Sequence, residues 1–75
     1  MRGSKLIKKI LNDKFKPGAR FAILYDNYLE PQLYLKYDVD REGMKALYCV
    51  DESIGREYIC DSGFILNNHF FYINE

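Results

Sequence analysis

The chain has 75 residues, 48% of them hydrophobic and 16% aromatic, with 11 basic and 11 acidic groups and zero net charge. That length holds one domain, residues 1–75, and the hydrophobic content excludes a wholly disordered chain. Two cysteines, Cys49 and Cys60, are too few for the disulfide framework of a small secreted scaffold, so both are expected as free thiols in a cytoplasmic protein.

From the N-terminus, Leu6, Ile7, Ile10 and Leu11 gather within an arc of about 140° at 100° per residue. Lys5, Lys8, Lys9 and Asn12 take the other side. This predicts an amphipathic helix over about residues 4–14, with Ser4 as its N-cap and Phe15 following it into the core. The apolar set is far too short for a signal core or a membrane span. Pro17-Gly18 must end the helix, and about three turns need docking on a sheet to hold.

The period then changes to two. Phe21, Ile23 and Tyr25 alternate with Ala22 and Leu24, so both faces of this strand are apolar and its place is central. Asp26-Asn27 reads as a turn, and Pro31 confines nearby strand to an edge or a bulge. Leu33, Leu35, Tyr37 and Val39 form the core side of the next strand, opposite Tyr34, Lys36 and Asp38. Asp40-Arg41-Glu42-Gly43 connects to a strand over 44–50, in which Ala46, Tyr48 and Val50 oppose Lys45, Leu47 and Cys49. Residues 57–60 read as a short strand, Asp61-Ser62-Gly63 as a turn and 64–66 as a short extended piece. Asn67-Asn68 supplies a hairpin turn of positive φ, and residues 69–73 close the chain as a strand.

Short connections imply sequential antiparallel pairing. The expected architecture is α+β: an N-terminal amphipathic helix packed on a curved antiparallel β-meander of four to five strands, or a half-open small barrel. Its expected core is Ile7, Ile10, Phe21, Ile23, Leu35 and Phe71.

Chemistry is sparse in this pattern. Catalysis needs a nucleophile, a base and an orienting group that converge, yet His69 is the single histidine and no spacing ties it to Cys60. Cys49, Cys60 and His69 lack the paired spacing of a zinc site, and the lone glycines make no phosphate loop. Asp38 and Asp40 share a strand face without any calcium-loop spacing. The expectation is a protein that is no enzyme and carries no cofactor or metal.

Charge is divided along the chain. Residues 1–20 carry seven basic groups against Asp13, a balance of +6, and residues 21–75 carry four against ten acids, a balance of −6. A basic helix could contact nucleic-acid phosphates, but an acidic sheet would repel them from any aromatic platform it offered. Seven tyrosines exceed what so small a core can hide, and tyrosine is favoured at protein interfaces. Acidic groups beside them suit a basic partner, including one that itself binds nucleic acid. The candidate binding residues are Tyr28, Tyr34, Lys36, Asp38, Asp40 and Tyr48. A homodimer through an exposed sheet edge stays open, and direct nucleic-acid binding is the second reading.

The runs Ser4-Lys5-Leu6-Ile7-Lys8-Lys9-Ile10-Leu11, Phe15-Lys16-Pro17-Gly18, Phe64-Ile65-Leu66-Asn67-Asn68 and Ile73-Asn74-Glu75 resemble the ends of short accessory proteins of phages and prophages from low-GC Gram-positive bacteria. The resemblance covers both chain ends and no active-site motif. It implies a stoichiometric inhibitor of a host defence factor, of the anti-CRISPR kind, and transfers no functional residue.

Overall fold

The computed structural model describes residues 1–25 and 28–73, with side chains throughout except at 25–31. Helix α1 spans Gly3–Leu11 and buries Gly3, Leu6 and Ile10, leaving the lysines outward. Its N-cap is Arg2, not Ser4, and no side chain caps it. The free amide of Gly3 is satisfied by a tertiary bond instead, donating to the Asn68 carbonyl at 3.1 Å. At the other end the helix stops at Leu11, three residues before the amphipathic pattern does. Asp13 turns into the left-handed region at φ 56°. The Lys14 amide then bonds the Lys9 carbonyl at 2.9 Å and the Asp13 amide bonds Ile10 at 3.1 Å. That pair of bonds is a Schellman ending with aspartate where glycine is usual. Lys45 completes it, its Nζ donating to the Ile10 carbonyl at 3.2 Å and the Asp13 carboxylate at 2.7 Å.

Five antiparallel strands follow: β1 (Arg20–Tyr25), β2 (Tyr28–Val39), β3 (Lys45–Asp51), β4 (Arg56–Ile59) and β5 (His69–Ile73). Their order across the sheet is β4-β3-β2-β1-β5, so the sheet stays open and β1 lies inside it, as its two apolar faces require. Pro31 falls in a register break. Ala22 pairs with Tyr34 but Leu24 with Leu29, which leaves a bulge in β2 where proline's missing amide is tolerated. The turn at Asp26-Asn27 lies outside the described residues.

The fourth and fifth strands are joined differently from the expected hairpin. Residues Ser62–Leu66 form a short helix, α2, rather than an extended piece. Asp61 caps it by accepting from the Phe64 amide at 3.3 Å. Asn67 and Asn68 do not take positive φ in a hairpin turn; their side-chain amides donate to the Gly63 and Phe64 carbonyls, both at 2.8 Å. The link carries the chain back across the sheet to pair β5 with β1.

The core lies on one face of the sheet, beneath α1 and α2. Phe21, Ile23, Leu35, Tyr37, Cys49 and Phe70 meet Leu6, Ile10 and Ile65 there. Four of the six expected core residues are buried and Ile7 is half-buried, but Phe71 is 48% exposed. The register explains this: Phe70 pairs with Ile23 and faces inward, so its neighbour Phe71, opposite Ala22, must face out. Both cysteines are free and buried, as expected. Burial pushes the Cys60 thiol up to about 11. No helix among the described residues is long and apolar enough to cross a membrane.

Candidate functional site

Among the described residues, no helix lies on the opposite face of the sheet. Pairing places its side chains in rows that cross the strands. One row runs Ile59, Tyr48, Lys36, Arg20 and Ile73; the next runs Glu57, Val50, Tyr34, Ala22 and Phe71. Asp38 follows opposite Ala46. Residues two apart on a strand share a face, so Tyr34, Lys36 and Asp38 stand together, as the alternation predicts. Tyr48 joins them from the neighbouring strand because it pairs with Lys36.

Charge on this face is largely matched in place. Lys36 donates to Glu57 at 2.5 Å and lies 5.9 Å from the Tyr48 ring centre. The Glu57 carboxylate holds the Lys36 ammonium above its ordinary pKa. The pair is partly exposed, so it orients side chains more than it stabilises the fold. The Arg20 guanidinium sits 5.5 Å from the Tyr34 ring centre, within cation–π range. Both tyrosines are thus half-buried rings, each with a cation beside it. The Asp38 carboxylate accepts from the Val39 amide at 2.8 Å.

Asp40 does not share this face. It has left the strand and its carboxylate accepts from the Glu42 and Met44 amides, both at 2.9 Å, which closes the β2–β3 turn. Tyr28 belongs to β2, but its side chain lies outside the described residues. Four of the six candidate residues therefore converge. Sequence reading missed Arg20, Val50, Glu57, Ile59 and Phe71 as members of the same face. Arg20 and Phe71 come from β1 and β5, whose pairing depends on the α2 crossover and leaves no local signal. Glu57 could have been found, since a short amphiphilic strand following β3 would place it opposite Val50.

Cys60 and His69 fall on opposite faces of the sheet: Cys60 lies with the core, and His69 pairs with Leu24 on the uncovered side. They cannot act as a thiol–imidazole pair in this fold. Among the described residues no three histidine, cysteine or carboxylate side chains gather where they could hold a metal ion. Comparison with protein-family models, with curated proteins and with solved structures gives no match.

Proposed function

We propose that the protein acts stoichiometrically by seating a basic protein surface on the uncovered sheet face. The observation that carries this reading is the convergence of Tyr34 and Tyr48 with apolar Val50, Ile59 and Phe71 on one helix-free surface. Phe71 and Ile59 are 48% and 72% exposed, an unusual cost for so small a domain unless a partner covers them. Half-buried tyrosines with charged groups beside them resemble a hot-spot centre ringed by polar groups. On the face itself Lys36 and Arg20 balance Glu57 and Asp38, while the turn and loop at its two ends carry Asp40, Glu42, Asp51 and Glu52 against Arg41 and Arg56. That balance favours a basic partner and speeds its approach.

The protein is then a binding protein, not an enzyme. Together with the resemblance at its chain ends, the reading points to a phage or mobile-element accessory protein that blocks a host defence factor, itself one that binds nucleic acid. Affinity capture from a host lysate, with and without nuclease, tests this. Nuclease-resistant recovery of one basic protein is expected. Recovery that vanishes entirely on digestion would contradict it and favour direct nucleic-acid binding.

A further inference from the structure

The loop that follows α1 makes a second feature, on the other side of the molecule. Lys14, Phe15, Lys16 and Pro17 line a cleft of about 680 Å³ whose far wall is Tyr72 of β5. Phe15 is half-buried, with its ring 4.9 Å from Phe21 and 5.2 Å from Tyr72. Phe21 also meets Tyr72 at 5.7 Å, so the three rings form an edge-on and tilted cluster. Its outer member, Tyr72, is 49% exposed. The loop itself is fixed by backbone bonds from Gly18 to Tyr37 and from Tyr37 to Ala19, both 2.8 Å. Gly18 adopts φ 95°, which a side chain would resist, so Lys16 and Pro17 are held in place.

The sign of the charge here is the reverse of that around the sheet face. Lys14 and Lys16 are exposed in the cleft wall. The one acid of the first twenty residues, Asp13, is bound by Lys45. On α1, Ile7 and Leu11 line a groove against Leu47 and Cys60, which places Lys5 and Lys9 on the opposite flank of the helix. An exposed aromatic ring therefore shares its cleft with two exposed lysines, Lys14 and Lys16.

We infer that this cleft binds single-stranded nucleic acid, with one base stacked on Tyr72 and the flanking phosphates held by Lys14 and Lys16. Every base offers a π-face to such a ring, and two lysines across the cleft from it can meet the phosphates of a strand whose base is stacked there. A duplex hides its base faces, so the cleft discriminates against it. The acidic groups around the uncovered face repel nucleic acid there but not at this cleft, because β5 presents Tyr72 on the helix side, opposite Phe21. This site is independent of the sheet-face proposal and shares no residue with it.

The test uses a labelled mixed-sequence oligonucleotide of about 12 nucleotides, as single-stranded DNA, single-stranded RNA and duplex, followed by fluorescence anisotropy. The chain has no tryptophan, so Tyr72→Trp provides a private optical probe. Its fluorescence should be quenched as a single strand binds, with affinity kept. Tyr72→Leu, which retains apolar volume, should weaken binding about tenfold. Lys14→Gln with Lys16→Gln should reduce the slope of log K against log salt by about 1.4, the release expected for two phosphates. Circular dichroism on each variant confirms that it is folded. Absence of single-strand binding by the folded protein at low salt would overturn the inference. So would duplex bound as tightly as single strand, unchanged tryptophan emission on binding, or displacement by an acidic peptide with Tyr72→Leu behaving as wild type.

Discussion

Gly3 packs α1 directly against the carbonyl of Ile65 in α2, and a Cβ there would overlap that carbonyl. Backbone cannot give way as a flexible side chain can. Gly3→Ala should therefore cost about 2–3 kcal/mol in urea unfolding, although alanine is the better helix former. The two adjacent phenylalanines of β5 give a sharper contrast. Phe70 is fully buried and Phe71 is not, so Phe70→Ala should cost about 3–5 kcal/mol and Phe71→Ala less than about 1. Losses in the reverse order would mean that the β1–β5 register is wrong by one residue. Cys60, with its thiol pushed up to about 11, stays protonated near neutral pH. It should resist alkylation in the folded protein and react rapidly once the protein is unfolded, as a thiol-labelling time course would show.

At the scale of elements, α1 is too short to persist alone and depends on how its ends are tied. The Ile10 and Leu11 carbonyls and the carboxylate of the left-handed Asp13 are served by one cation, Lys45, from β3. The Asp13 carboxylate raises the Lys45 pKa, so this contribution is fully present below the ordinary lysine value and is lost only as pH rises through the raised one. Lys45→Met should speed hydrogen exchange at the amides of Asn12, Asp13 and Lys14 while leaving the β1–β2 amides unchanged. The strand alternation that places Tyr34 and Leu35 on opposite faces was legible from side-chain period alone. The ends of α1 and the existence of α2 were not. Ser4 looks like an N-cap by its hydroxyl, but the Asn68 carbonyl, distant in sequence, sets where the helix begins. Phe64, Ile65 and Leu66 read as extended because three apolar residues carry no period, and Asp61 with the two asparagines decides for helix. Phe71 was misplaced for the same reason: its face depends on which strand β5 joins, and that is a tertiary choice.

For the whole molecule, the division of charge along the chain becomes a division between two surfaces. The lysine-bearing helix and loop lie on one side, and the tyrosine face with its acidic surroundings lies on the other. Such an arrangement lets a domain of zero net charge present strong local fields of both signs. Binding at the sheet face is assigned to Tyr34 and Tyr48, and its approach rate to carboxylates including Asp38. The association rate with a basic partner should fall as salt rises, and dissociation should respond far less. The most direct measurement is the affinity of the captured partner for the Tyr34→Ala, Asp38→Lys double variant, beside a variant with Lys5, Lys8 and Lys9 each changed to Gln. The sheet-face account predicts a loss of at least about 2 kcal/mol for the first and little change for the second. Unchanged affinity for the double variant, with binding lost when the three lysines are neutralised, would contradict it.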